Sequence, residues 1–341
     1  MTVFHPDLAV ARWIPKFSFG PRLARLANKP ARKSPYVPED LLVEDIAVPG
    51  PPGAPDVQVR LIRPRTLKGN APALLWLHGG GMILGRNTQD DATNFAFART
   101  LGMTVASVGY RLSPQHPAPA ALEDAYAALT WLFANAEQRG IDAGRIAIGG
   151  QSAGGGLAAG LALLAHDRGT VQPAFQLLVY PMIDDRTVVR TDLESRNVRV
   201  WNQGSNRYGW TSYLGQEPGG ADISEYAAPA RREDLSGLPP TWIGVGTLDL
   251  FFAEDTTYAA RLTEAGVPCE LAVVEAPSTA SMPCSGRKVF RGISGGRRRR
   301  RWRVHCSRAS EDRRLTPQLA IVGAWPVTLM MHGASRRGCS R

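Results

Sequence analysis

Two short segments of the sequence hold residues that could carry out acyl transfer. The first, residues 150–154, reads Gly-Gln-Ser-Ala-Gly and directly follows the apolar run 145–149. In a G-x-S-x-G segment between a strand and a helix, the serine lies on a tight turn with its hydroxyl exposed, and the helix N-terminus favours negative charge there. Ser152 is therefore the candidate nucleophile. The alternative is that Ser152 only caps a helix, since small residues often precede helices.

The second segment is the run of three glycines at residues 79–81, which follows His78 and the apolar run ALLWL. Three consecutive glycines cost backbone entropy, which indicates that the main chain approaches another group closely. The backbone N–H groups of Gly80, Gly81 and Ala153 are candidate donors of an oxyanion hole. A flexible loop or a phosphate cradle is the alternative, although a phosphate-binding loop would carry Gly-Lys-Ser/Thr, which the segment lacks.

These two segments must be held by a regular framework. Seven short apolar or β-branched runs are predicted as strands, at 57–63, 73–77, 103–108, 145–149, 175–180, 241–245 and 269–274. Helical periodicity covers 119–138, 153–166 and 254–265. Strands that alternate with helices are typical of a largely parallel sheet covered on both faces, so the fold class is α/β.

The remaining segments predict covers for this sheet. Residues 1–45 have loosely helical spacing and predict a helical cap rather than a sheet element. Residues 185–225 interrupt the alternation and predict an insertion over the carboxyl edge of the sheet, where ligands of open α/β sheets bind. The catalytic domain is thus expected over 46–275.

Charge divides the chain at Glu275. Residues 1–275 hold 25 Lys+Arg and 28 Asp+Glu (net −3), whereas 276–341 hold 15 and 2 (net +13), which together give the +10 of the chain. Helical and strand periods are lost after residue 275, so 276–341 is predicted to be a disordered basic tail. The five arginines of 297–301 with Trp302 could bind nucleic acid or an anionic membrane, but we expect only non-specific attraction and no specific nucleic-acid partner.

Composition excludes several other classes. The chain is 44% hydrophobic, which is far from disordered composition, and no run reaches the roughly 20 apolar residues of a membrane span. The N-terminus lacks a signal pattern, so a cytoplasmic protein is expected. The four cysteines lack metal-site spacing and form no obvious disulfide framework, so neither a metal nor a cofactor is expected.

Five blocks of sequence resemble, in order, the hormone-sensitive-lipase-like esterases of the α/β-hydrolase superfamily: HGGGMILG (78–85), YRLSPQHPAPAALEDA (110–125), GGQSAGGGLA (149–158), YPMIDDR (180–186) and GTLDLF (246–251). The resemblance runs from about Val57 to Glu275. It implies the α/β-hydrolase fold and hydrolysis of a small ester through an acyl-enzyme. Gln151 and Gln115 stand where this family usually carries Asp and Glu.

The resemblance also implies roles for individual residues. Ser152 would attack the ester carbonyl, and Gly80, Gly81 and Ala153 would bind the oxyanion. Asp249 matches the acid that orients the catalytic histidine, in the chain order Ser, Asp, His. The alternative is that Asp249 only caps the helix of 254–265, which Glu254 or Asp255 could do equally well. His78 is expected to stabilise its loop, and His116 to be structural.

The histidine of this family is missing. Family members carry a stretch like Gly-Ala-Phe-His-Gly-Phe after the strand that CELAVVE resembles, but this chain reads APSTASMP at 276–283 and has no histidine between His166 and His305. A serine hydroxyl without a base is a poor nucleophile at neutral pH. His305 or His332 could replace it only if the tail folded back over Ser152.

The genetic code suggests a cause. When the codons from Glu275 onward are regrouped by one base, the triplets RGC, NCC, NUC, NAC, NGC, NUC, NAU and GCC permit Gly-Ala-Phe-His-Gly-Phe-Asp-Ala. A frameshift near Glu275, in the gene or in its sequencing, would explain the lost histidine and the basic tail together. The sequence thus predicts an ester hydrolase that is impaired in this copy, or alternatively a non-catalytic ligand-binding remnant. Resequencing the DNA around codon 275 tests this.

Overall fold

The computed structural model describes residues 18–28, 36–192 and 201–274. They contain one eight-stranded sheet in the order β1-β2-β4-β3-β5-β6-β7-β8. The strands are β1 (Leu41–Val48), β2 (Val57–Pro64), β3 (Ala71–Leu77), β4 (Thr104–Gly109), β5 (Ile141–Gln151), β6 (Phe175–Val179), β7 (Thr241–Gly246) and β8 (Cys269–Val274). β2 runs antiparallel to both β1 and β4, and the pairs from β4 through β8 are parallel.

Of the helices in the described residues, one precedes β1 and the others follow strands along the chain. They are α1 (Pro21–Ala27), α2 (Asp91–Leu101), α3 (Ala120–Ala134), α4 (Ala153–Arg168), α5 (Gln203–Leu214) and α6 (Phe252–Glu264). Helix α4 is packed into the protein along most of its length, with 13 of its 16 residues buried. The predicted α/β architecture and all seven predicted strands are therefore confirmed.

The sheet separates two apolar cores, because alternate residues of a strand point to opposite faces. In β3, Leu75 and Leu77 join the larger core, whereas Leu74 and Trp76 join the smaller core beside Phe95 of α2. Every residue of β3 is buried. A strand that is covered on both faces needs apolar residues on both, which is why ALLWL is an unbroken apolar run.

The parallel part of the sheet brings the candidate residues to one edge. Parallel strands end at the same edge, and ligands of α/β sheets bind outside it. The triple glycine follows β3, Ser152 follows β5, and Asp249 follows β7.

The structure corrects the predicted boundary of the N-terminal cap. Part of that segment is helical, as α1, but residues 41–45 begin the edge strand β1 and are not part of a helical cover. Leu41 and Val48 are buried at the two ends of β1, whereas Glu44 and Asp45 interrupt its apolar pattern. An edge strand with one face in water needs no continuous apolar run, so periodicity did not reveal it. Helix α2 was also not predicted.

The insertion of 185–225 contains a 3-10 helix at Asp185–Val189 and helix α5. No helix in the described part of the chain is long and apolar enough to cross a membrane. The predicted basic tail at 276–341 lies outside the described residues, as do residues 1–17 of the N-terminal segment.

Candidate active site

Ser152 lies on a strained turn between β5 and α4. Its backbone has φ +54° and ψ −122°, a conformation that residues other than glycine rarely adopt and that is often found at functional sites. The Ser152 N–H donates to the Val179 carbonyl at 2.9 Å, which ties the turn to β6. The side chain makes no capping hydrogen bond to α4 and is only half-buried. Ser152 thus occupies the N-cap position of α4 without using its hydroxyl as a cap.

The glycines on either side of Ser152 allow this turn. A Cβ on Gly150 would lie 2.3 Å from the Gly154 carbonyl oxygen, and a Cβ on Gly154 would lie 2.0 Å from the Leu77 carbonyl oxygen. Both distances are far below contact, so strand β5, helix α4 and the end of β3 meet through bare backbone. The G-x-S-x-G spacing is thus required by packing.

The triple-glycine segment lies beside the serine. A Cβ built on Gly79 would be 3.5 Å from the Cβ of Ser152. Gly80 and Gly81 have φ of +125° and +61°, and a Cβ on Gly80 would lie 2.2 Å from the Leu84 carbonyl oxygen. Side chains are excluded from these positions by both conformation and space.

Three backbone N–H groups near Ser152 have no acceptor within the described residues: those of Gly80, Gly81 and Ala153. Ala153 is the first residue of α4, whose N–H groups have no partner inside the helix. The Gly80 carbonyl accepts from the N–H groups of Ile83 and Leu84, at 3.1 and 2.9 Å. Free donors at a helix N-terminus next to a hydroxyl are suited to a negatively charged oxygen.

His78 is buried and holds the glycine segment. Its ring stacks on Tyr110 with 4.2 Å between the ring centroids, and its Nδ1 lies 2.9 Å from the Gly79 carbonyl oxygen. Burial lowers the pKa of His78 to about 4, so its ring is neutral at physiological pH. A carbonyl can only accept, so the single ring proton is on Nδ1. This contact agrees with the predicted loop-stabilising role.

A polar network lies beneath the serine turn. The Asp90 carboxylate accepts from Trp76 Nε1 and from Gln151 Nε2, both at 2.8 Å, and the Tyr180 hydroxyl donates to Gln151 Oε1 at 3.1 Å. Burial raises the pKa of Asp90 to about 6, although the bond from Trp76 opposes this. Gln151, the departure from the resembled family, therefore has a matched partner in Asp90.

Asp249 lies just beyond β7 and is buried. Its Oδ1 accepts from the Phe251 N–H at 3.0 Å, a local bond that precedes helix α6 at Phe252. This bond resembles the capping alternative, but it closes a turn before the helix, whose first residue is Phe252.

The two acidic residues that could have replaced Asp249 as a cap have other environments. Glu254 is fully buried and accepts from the N–H groups of Ile183 and Asp184 and from the Thr187 hydroxyl. Asp255 is fully buried, and neither of its oxygens has a hydrogen-bond partner in the described part of the chain. Burial raises the pKa of both carboxyls well above the usual range, and Asp249 contributes to the shift of Asp255. Neither caps α6.

Sequence reasoning missed several residues of this site. Gln89 and Asp90 lie outside the five blocks, Tyr180 lies in the block YPMIDDR without an assigned role, and no role was predicted for Trp201 of the insertion. A Cβ on Gly81 would lie 1.9 Å from the Trp201 ring, so the insertion reaches the triple glycine. The Gln151 departure was the one signal that pointed toward this network. Within residues 18–28, 36–192 and 201–274, no group of His, Cys, Asp and Glu has metal-site geometry.

Known proteins are similar to this chain in both sequence and fold. Residues 74–278 match the family model described as alpha/beta hydrolase fold. Carboxylesterase NlhH of Mycobacterium tuberculosis (strain H37Rv) is 36% identical over 258 residues, which are 74% of this chain and 79% of that protein. Esterase LipI of the same organism is 37% identical over 254 residues, which are 72% of this chain and 76% of that protein.

Solved structures agree. A bacterial heroin esterase superimposes with a TM-score of 0.76 at 36% identity, and the match covers 84% of this chain and 95% of the chain of the heroin esterase. An esterase of the archaeon Pyrobaculum calidifontis superimposes with a TM-score of 0.65 at 31% identity, over 79% of this chain and 83% of its own. The chain therefore belongs to the α/β-hydrolase family and, within it, to the hormone-sensitive-lipase-like esterases, as a serine hydrolase.

Proposed function

We propose that this chain is a carboxylic-ester hydrolase for small or medium acyl esters, whose turnover is impaired because it lacks the family histidine. The observation that carries the proposal is the position of Ser152 on a strained turn, half-buried, beside three free N–H groups. The names of the relatives, carboxylesterase and esterase, support the substrate class. Hydrolysis of an ester by this route consumes only the ester and water, and the other groups that it needs are side chains and backbone N–H groups.

The proposed reaction has two steps. The Ser152 oxygen attacks the ester carbonyl and gives its proton to a base, and the N–H groups of Gly80, Gly81 and Ala153 bind the oxygen that becomes negative. The carbon–oxygen bond to the alcohol then breaks, and the alcohol leaves with a proton. Water attacks the acyl-enzyme in the same way and releases the acid.

The described residues offer no histidine placed to act as the base of this reaction. The histidines of the described residues are His78, His116 and His166. His78 uses Nδ1 on the Gly79 carbonyl, and its pKa of about 4 makes it a weak base. Asp249 would orient the family histidine, but position 279 carries threonine. Loss of one triad member still leaves roughly 10³-fold catalysis over water, which comes from the oxyanion hole and from binding.

Hydrolysis of p-nitrophenyl acetate by the purified chain tests the nucleophile. We expect slow turnover above the buffer rate and an acetyl group bound covalently to Ser152. Ser152→Ala should lower the turnover and remove the acetyl group, which a mass spectrum of the chain detects. Ser236→Ala, the same change at an exposed position, is the matched control and should behave as the parent. Binding of the ester without turnover, unchanged in Ser152→Ala, would favour the non-catalytic remnant instead.

A segment replacement tests the cause of the impairment. Residues 276–283 would be replaced by Gly-Ala-Phe-His-Gly-Phe-Asp-Ala, which the shifted reading frame permits, and a control would carry alanine instead of histidine in that segment. We expect kcat to rise on the order of 10³-fold with the histidine and not with the alanine. Equal rates for the two replacements would contradict the proposed role of this position.

A further inference from the structure

The Gly79 carbonyl is held by two side chains. Gln89 Nε2 donates to it at 3.1 Å, and His78 Nδ1 donates from 2.9 Å. Gln89 itself is placed by a turn in which its N–H donates to the Arg86 carbonyl at 3.0 Å. A half-buried glutamine ten residues beyond the glycine segment is thus aimed back at it.

This contact determines where the next N–H points. In a planar trans peptide the carbonyl and the following N–H point in opposite directions, so a fixed Gly79 oxygen fixes the Gly80 N–H on the other side. Among the described residues, the Gly80 carbonyl accepts from backbone N–H groups, whereas the Gly79 carbonyl accepts from side chains. Glycine tolerates many φ and ψ values, so without these donors the Gly79–Gly80 peptide could rotate.

Gly85 provides the space for both donors. A Cβ on Gly85 would lie 2.3 Å from His78 Nδ1 and 2.9 Å from Gln89 Oε1. A side chain at position 85 would occupy the space that His78 and Gln89 need in order to reach the Gly79 carbonyl. This close approach at Gly85 is a second observation that supports the contact between Gln89 and the Gly79 carbonyl.

We propose that Gln89 is a positioning residue that, together with His78, turns the Gly80 N–H toward Ser152 and so preforms the oxyanion hole. The inference rests on the proposed function. Gln89 touches no reacting atom in this arrangement and acts only through the peptide. Its loss should therefore weaken stabilisation of the transition state and leave ester binding intact.

The test compares Gln89→Leu and Gln89→Glu in the full chain. Glu has the size of Gln but offers an oxygen instead of the N–H donor. We expect kcat for p-nitrophenyl acetate to fall about fivefold in Gln89→Leu, and at least as far in Gln89→Glu, with KM unchanged. The melting temperature should fall by no more than about 4 °C, the size of effect expected from the loss of one hydrogen bond. Gln216→Glu makes the same change at an exposed glutamine that also donates to a carbonyl, and should match the parent.

A second measurement reports the orientation of the Gly79–Gly80 peptide group and does not depend on ester hydrolysis. In a sample labelled with ¹³C at glycine carbonyls and ¹⁵N at glycine nitrogens, only Gly–Gly pairs give a correlated signal, and the Gly79–Gly80 signal should move in both Gln89 variants. Unchanged kcat, or equal changes in kcat and KM with an unmoved signal, would overturn the proposal. If Ser152→Ala hydrolyses the ester as fast as the parent, the proposed function fails, and the carbonyl signal alone then decides the role of Gln89.

Discussion

Asp90 should make the stability of this protein depend on pH in a direction opposite to that of most acids. Asp90 is 6% exposed, and burial raises the pKa of its carboxyl to about 6 from an ordinary 3.8. The folded state therefore binds the Asp90 proton more tightly than the unfolded state. The free energy of unfolding should fall as pH rises from about 4 to about 6, and then level off.

The size of the effect follows from the shift. A difference of about 2 pKa units, at about 1.36 kcal/mol per unit, corresponds to ~3 kcal/mol of stability lost on ionisation of Asp90. Asp90→Asn cannot ionise, so this loss should disappear. The amide can keep the network, because its oxygen accepts from Trp76, its NH₂ donates to a rotated Gln151 amide, and the Tyr180 hydroxyl then accepts from Gln151.

Urea unfolding, followed by tryptophan fluorescence from about pH 4 to about pH 7.5, measures this. We expect Asp90→Asn to be more stable than the parent by up to ~3 kcal/mol near neutral pH, with the difference vanishing near pH 4. Asp56→Asn, at an exposed position, should leave the pH dependence unchanged. A parent–variant difference that does not vary with pH, or that grows toward acid, would refute the assignment of a buried ionisable carboxyl.

Three further substitutions test the packing around the site and the sheet edge. Gly81→Ala places a methyl group against Trp201 at φ +61°, so we expect a loss of ~1–3 kcal/mol in stability and a slower ester hydrolysis; an unchanged melt contradicts the close approach. Asp255→Ala removes a buried carboxyl that has no hydrogen-bond partner in the described residues, so the free energy of unfolding in urea should rise by ~1–3 kcal/mol. A lower free energy of unfolding would contradict the absence of such a partner. Val273 is 45% exposed on β8, the last strand of the sheet in the described residues, and an exposed apolar residue on such a strand is expected to promote aggregation. Val273→Lys should therefore increase the soluble yield without changing ester hydrolysis, and an equal yield would contradict this.

The strands and the serine turn could be predicted from the sequence because their signals are local. A buried parallel strand such as β3 must be apolar on both faces, and it appears as an unbroken apolar run. The two glycines around Ser152 are required within one pentapeptide. Both signals lie within a few neighbouring residues, so no knowledge of distant contacts is needed.

Helix α2 and strand β1 lacked such signals. The buried face of α2 includes polar Asn94 and Asp91, which blur its apolar period. Asp91 is buried because it pairs with Arg60 of β2, which also binds Asp45 of β1. A charge in these positions is explained only by a partner from another element, which periodicity cannot show.

The sequence by itself determined the fold class, and it predicted the turn of the candidate nucleophile and the candidate oxyanion donors, since each of these signals lies in adjacent residues. It also shows that no histidine lies between His166 and His305. Only the tertiary structure decided that Asp90, Gln151 and Tyr180 form one network, that Trp201 closes on Gly81, and that Gln89 reaches the Gly79 carbonyl. Hydrogen bonds form between atoms about 3 Å apart whatever their separation in the chain, so these contacts exist only once the sheet has brought its loops together.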